Sequence, residues 1–224
     1  MLFRSDGILR ELCQLEGSYS RLQTVEARIC IPQRLRRRGY STTAYHGFSS
    51  RLFDRASWFP WLGFEGIEFE EQLIGEGEAE HCGGVLYGLC DDRLVARVVR
   101  ESSSTATSPR FVYLLTLNSH VPFVVPQGRK YPFACSTEHA PDLDETVCDL
   151  LNIWIVLFDA VARELQRFRD VPVDILLVGD HAPPLFKLSS RSRFKEGLVS
   201  WMLLSREVSS PRPDRKSTRL NSSH

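Results

Sequence analysis

The stretch Val173-Asp174-Ile175-Leu176-Leu177-Val178-Gly179-Asp180-His181 decides how this 224-residue chain is read. A run of strand length, apolar from Ile175 onward, enters Gly and then Asp and His. Such a run reads as a strand buried on both faces, as in a parallel sheet. In open α/β sheets, ligands gather at the carboxyl ends of the strands. Asp180 offers a carboxylate oxygen and His181 an imidazole nitrogen, and both suit Mn or Zn. Alone, Gly-Asp-His is also a turn in which Asp caps the next segment and His faces water.

Working outward, two more strand ends carry histidines. Residues 111–117 form a continuous β-branched and aromatic run that passes into Asn118-Ser119-His120. Residues 40–48 read as a strand ending in Tyr45-His46-Gly47-Phe48, and Phe53-Asp54-Arg55 opens the next helix. Arg55 has the planar fork that clamps a phosphate or sulfate through two parallel hydrogen bonds. Blander readings stand beside these. His120 is then a surface-loop residue, His46 a satisfied strand-end histidine, and Arg55 the salt-bridge partner of Asp54 or Glu65.

The rest of the chain alternates helix and strand. Residues 32–38, 53–62, 91–101 and 144–169 read as helices, and 67–69 as a short strand. In the longest helix Leu150, Ile153, Trp154, Leu157, Phe158, Val161 and Leu165 recur by three and four, which predicts one apolar face. Residues 102–108 and 122–141 read as loops. Alternation of this kind predicts an α/β fold, a mostly parallel sheet with helices on both faces, in one domain without repeats. The aromatic helix with Trp58, Phe59, Trp61 and Phe64 reads as core, and Arg34 to Arg38 as a solvated face. His81 and His139 receive no role.

Lys+Arg and Asp+Glu each total 28, and 42% of residues are hydrophobic. The balance lacks the basic stripe of a dedicated nucleic-acid binder. No run of about 18 apolar residues marks a membrane span. Proximity along the chain pairs the cysteines as Cys13 with Cys30, Cys82 with Cys90 and Cys135 with Cys148, one of fifteen connectivities open to six cysteines. Such bridges predict an oxidising compartment, whereas six reduced thiols would fit the cytosol.

Together, Tyr45-His46-Gly47-Phe48, Phe53-Asp54-Arg55, Leu115 to His120 and Val178-Gly179-Asp180-His181-Ala182-Pro183-Pro184 resemble the sulfatase-like branch of the alkaline phosphatase superfamily. Within it the chain is most similar to bacterial envelope phosphoethanolamine and phosphoglycerol transferases, including lipoteichoic acid synthase. The resemblance implies that Asp180 and His181 ligate a divalent metal, Mn or Zn first, with Ca or Mg as alternatives. It implies that His120 contacts the phosphoryl or sulfuryl group, and that Arg55, Phe53 and His46 line the substrate pocket. The family nucleophile is a Thr, or a modified Cys in true sulfatases, that forms a covalent intermediate. The substrate would be a phospholipid or another phosphoester or sulfoester. The enzyme would work at the periplasmic or extracellular face of the bacterial inner membrane, anchored only by segments upstream of this chain.

The chain departs from that pattern at its start. The nucleophile would fall near Arg4, and an earlier acidic ligand is also missing. Residues 214–224 back-translate to a sequencing-adapter read and residues 1–5 to the end of its reverse complement. The expectation is therefore a partial catalytic domain over 6–213, an incomplete α/β fold, inactive for want of the Thr nucleophile. Two other functions fit the same residues: a secreted sulfatase or phosphodiesterase, and a non-catalytic α/β binding module.

Overall fold

The computed structural model describes residues 6–15, 30–74, 80–103, 108–125, 129–133, 135, 144–168, 170, 172–195 and 197–205. Residues 1–5 and 214–224, where the adapter expectation falls, lie outside these residues, as do His139 and much of 122–141. The elements run α1 (Asp6–Cys13), α2 (Ile31–Arg36), β1 (Ser41–His46), a 3-10 turn (Leu52–Asp54), α3 (Arg55–Leu62), β2 (Gly66–Phe69) and α4 (Glu70–Leu73). After them come β3 (His81–Cys82), β4 (Gly88–Leu89), α5 (Asp91–Ser102), β5 (Arg110–Leu115), α6 (Glu145–Arg167), β6 (Ile175–Val178), α7 (Leu188–Arg191) and β7 (Trp201–Leu204).

The central sheet is parallel, in the order β2-β1-β5. Period-two alternation sends neighbouring side chains to opposite faces. Phe111, Tyr113 and Leu115 of β5, with Ala44 of β1, pack against Ile8, Leu9 and Leu12 of α1 and Trp58, Phe59 and Leu62 of α3. On the other face Tyr45, Val112 and Leu114 meet Leu94 and Val98 of α5. Helices thus cover both faces, and the aromatic helix is core. Helix α3 stops at Gly63, whose φ of 103° suits glycine and where a Cβ would lie 2.6 Å from the Gln33 nitrogen.

Helix α6 opens on an Asp144 cap that accepts from the Thr146 N–H at 3.0 Å. Its buried face includes Leu150, Ile153 and Val161, but Phe158 is 41% exposed. The same helix carries β6, with Val161 and Leu165 against Ile175 and Leu177. Here the sequence expectation needs correction. Strand β6 pairs antiparallel with β7 in a separate two-stranded sheet, and Leu176 is 59% and Val178 40% exposed. One face rests on α6 and the other is uncovered, so the strand is not buried on both sides. Among the described residues, strand β5 pairs only with β1, and it is half-buried along its length.

Disulfides join Cys13 to Cys30, Cys82 to Cys90 and Cys135 to Cys148. No described helix is long and apolar enough to cross a membrane.

Candidate active site

The carboxyl ends of β1, β5 and β6 assemble the site. His46, the last residue of β1, is 0% exposed. Its Nδ1 lies 3.0 Å from the Leu115 carbonyl of β5, and its Nε2 lies 2.7 Å from Nη1 of Arg55. A carbonyl only accepts and a guanidinium only donates. His46 is therefore the neutral tautomer with its proton on Nδ1. Burial, reinforced by Arg55, pushes its pKa down to about 3. His46 is thus enclosed in the sheet, with its Nε2 turned to Arg55.

Arg55 begins α3 and is 6% exposed. Among the described residues, its Nε is buried without a hydrogen-bond partner. The salt-bridge reading of Arg55 does not hold. Asp54 accepts from the Ser57 hydroxyl, and Glu65 pairs with Arg36 at 3.1 Å. Burial lowers the Arg55 pKa to about 10, while Tyr113 and Asp180 oppose the fall. No carboxylate pairs with it among the described residues, and a buried guanidinium so placed calls for an anion.

The turn before Arg55 is strained. Phe53 and Asp54 both adopt left-handed backbone, with φ of 55° and 53°. Each such non-glycine residue costs on the order of 1 kcal/mol and persists only where its surroundings enforce it. The Trp58 indole N–H donates to the Phe53 carbonyl at 2.9 Å, which helps hold the turn. The guanidinium carbon of Arg55 sits 5.0 Å from the centre of the Phe53 ring, a cation–π contact. Phe53 thus supports Arg55 directly.

Asp180 and His181 leave β6 as predicted from their position. The Asp180 carboxylate accepts from the His181 N–H at 2.9 Å, and its other oxygen lies 3.4 Å from His181 Nε2. His181 Nδ1 is 2.9 Å from the Ala182 carbonyl. That bond fixes the proton on Nδ1 and leaves Nε2 free as a ligand beside Asp180. The donor chemistry fits two positions of a divalent metal site. Two ligands fall short of the three or four a protein usually supplies to zinc. Among the described residues, the group of three possible ligands that comes together is Glu80, Cys82 and Cys90, elsewhere in the chain. Its sulfurs are joined to each other as a disulfide, which disqualifies it.

His120 stands at the exposed end of the loop after β5. Partial burial of the ring lowers its pKa, the backbone bond to Val121 opposes this, and His181, Asp180 and Arg55 all act on it. Four of the predicted residues, Asp180, His181, His120 and Arg55, are therefore within electrostatic reach of one another.

Helix α1 closes the site and was not foreseen as part of it. Gly7 lets the helix approach so closely that a Cβ there would sit 2.6 Å from Cβ of Asp180. Arg10 donates to the Asp180 carbonyl at 2.6 Å. Glu11 keeps one carboxylate oxygen buried without a partner, and burial, with Asp180 adding to it, raises its pKa to about 7. Nothing local in the sequence links Glu11 to residues so far downstream.

Residues 26–195 match the family described as Sulfatase. Among curated proteins, a putative cyclic beta-1,2-glucan modification protein of Rhizobium meliloti is 24% identical over 165 residues, covering 72% of this chain and 25% of that protein. The lipoteichoic acid synthase LtaP of Listeria monocytogenes superposes with a TM-score of 0.61 at 15% identity, over 79% of this chain and 43% of that one. A Vibrio parahaemolyticus protein in the alkaline phosphatase superfamily gives 0.61 at 15% identity, over 90% and 48%. The Streptococcus pyogenes phosphoglycerol transferase GacH, solved with sn-glycerol-1-phosphate, gives 0.52 at 17% identity, over 75% and 44%. This chain spans less than half the length of each of these proteins. At such identities the structural likenesses establish the fold, and the family match does the rest: the chain belongs to the sulfatase family and has the fold of the alkaline phosphatase superfamily.

Proposed function

We propose that this chain is part of a metal-dependent enzyme that transfers or hydrolyses phosphoesters, with a phosphoglycerol or phosphoethanolamine transferase of the cell envelope as the leading reading. The observation that carries it is Arg55: buried, held by His46 and, among the described residues, with an unpartnered Nε and no salt-bridged carboxylate. Such a group is built for an anionic substrate. Asp180 and His181 would hold the metal, which when bound stabilises charge on the transferring group.

The chain's own residues then divide the work. Arg55 donates to nonbridging oxygens, and His46 fixes its fork. Phe53 covers its face. His120 supplies a further donor from the end of β5. The sulfatase and phosphodiesterase alternative uses the same groups, because sulfate and phosphate present the same tetrahedral oxygens.

In the transferase reading, the covalent intermediate requires a Thr hydroxyl next to the metal. Thr42 does not supply it, since its hydroxyl is fully buried and donates to the Gly63 carbonyl at 2.8 Å. Thr24 lies outside the described residues. We place the nucleophile outside the described residues, and the three disulfides support an oxidising compartment for the domain.

The test is metal binding. Mn titrated into the purified chain should bind, and Asp180→Ala should weaken binding at least about tenfold. Equal binding by both, or none by either, would favour a non-catalytic α/β module instead.

A further inference from the structure

Asp91 has no part in the site described so far. It is a carboxylate in the first turn of α5, 4% exposed. No arginine or lysine pairs with it among the described residues. Its partners are backbone N–H groups in the loop after β5. The Leu117 N–H donates to Oδ2 at 2.9 Å and to Oδ1 at 3.1 Å, and the Asn118 N–H donates to Oδ2 at 2.7 Å.

The bond is returned. The Asn118 side-chain oxygen accepts from the Asp91 N–H at 2.7 Å, and its amide donates to the Leu89 carbonyl at 3.3 Å. Asn118 is itself buried, 9% exposed. The Leu89 N–H in turn donates to the Gly47 carbonyl at 2.7 Å, one residue beyond His46. The clasp therefore ties the start of α5 to the ends of β1 and β5.

Two residues past Asn118, the chain turns. The His120 N–H donates to the Leu117 carbonyl at 2.8 Å. The two amides gripped by Asp91 are thus the base of the turn that delivers His120. A helix cap alone needs no second strand, and an ordinary acidic cap is exposed. This one is buried and spends its oxygens on another element.

We propose that Asp91 is a positioning residue: it fixes the turn from Leu117 to His120 and thereby holds the His120 imidazole beside Arg55, Asp180 and His181. The proposal rests on the reading of His120 and Arg55 as phosphoester ligands. Asp91 touches no substrate and acts only through His120.

The experiment is a double-mutant cycle on the whole chain, read by calorimetry with inorganic phosphate in the presence of Mn. Asp91→Asn keeps one acceptor where two N–H groups need more, so it should loosen the turn while preserving the fold. It should weaken phosphate binding about tenfold, as is common for groups that orient a ligand. His120→Ala should do the same, and the double variant should bind no more weakly than His120→Ala alone. Amide exchange at Leu117 and Asn118 should speed up in Asp91→Asn. Asn118→Ala, which removes the returning bond, should repeat the pattern and serves if Asp91→Asn does not fold. A full additional loss from Asp91→Asn in the His120→Ala background would overturn the proposal, as would wild-type phosphate affinity in Asp91→Asn. If His120→Ala binds phosphate normally while Arg55→Gln does not, the ligand reading of His120 fails and the positioning role falls with it. If neither single variant at Arg55 nor at His120 changes binding, the phosphoester reading itself is at fault.

Discussion

Nη1 of Arg55 lies 2.7 Å from Nε2 of His46, and Nδ1 of His46 lies 3.0 Å from the Leu115 carbonyl, so one buried imidazole links the guanidinium to the neighbouring strand. The link has a pH signature. Burial and Arg55 lower the folded pKa of His46 from 6.5 to about 3. Between these values the unfolded chain binds the proton and the folded chain does not. Stability from this residue is therefore complete above about pH 6.5 and falls as pH drops toward 3, by up to about 5 kcal/mol. Urea unfolding at pH 7 and pH 4.5 should show a larger acid loss for the wild type than for His46→Gln. Equal losses would contradict the assignment.

The approach of α1 to β6 should tolerate no side chain at Gly7. A Cβ there would meet both Cβ and the carbonyl oxygen of Asp180, at 2.6 and 2.9 Å. Gly7→Ala should cost about 1–3 kcal/mol, as overpacking of a close contact does. It should also weaken Mn binding by displacing Asp180. Thermal unfolding and a Mn titration on the same preparation check both effects.

The Cys82–Cys90 bridge closes a short loop, with a sequence separation of 8 residues, next to the start of α5. Replacing both cysteines with Ala should cost about 2.5 kcal/mol from loop-closure entropy alone. Urea unfolding measures this. A loss near zero would mean that the bridge does not constrain the unfolded chain.

Purified chain should show no phosphodiesterase turnover with or without Mn, because the family resemblance puts the Thr nucleophile near position 4, where this chain has Arg4. Turnover of a chromogenic phosphodiester above the buffer rate would show that the chain supplies its own nucleophile.

The strand ends were legible because each signal is local. An apolar run followed by a polar tip containing His needs no knowledge of distant residues, and the alternation of helix and strand predicted the parallel sheet. The pairing of β6 was not legible. Ile175 and Leu177 look the same in the sequence as Leu176 and Val178, yet only the first two find α6. The enclosure of His46 was equally hidden, since it depends on Leu115 and Arg55 arriving from two other elements. Nothing in the sequence sets Glu11 or Asp91 apart from other acidic residues on helices. Their significance comes from Asp180 in one case and from Leu117 and Asn118 in the other, contacts far apart along the chain. The left-handed turn at Phe53 and Asp54 also escapes sequence reading, because neither position holds glycine.

The central claim is that Arg55 receives the anionic group of a phosphoester. Its most direct test is calorimetric titration of sn-glycerol-1-phosphate into the Mn-loaded chain, with wild type and Arg55→Gln side by side. Arg55→Gln keeps a donor for His46 but removes the charge and the fork. The account predicts saturable binding by the wild type and at least about a tenfold loss in the variant. Equal affinity in the two proteins, or no binding by the wild type, would contradict it.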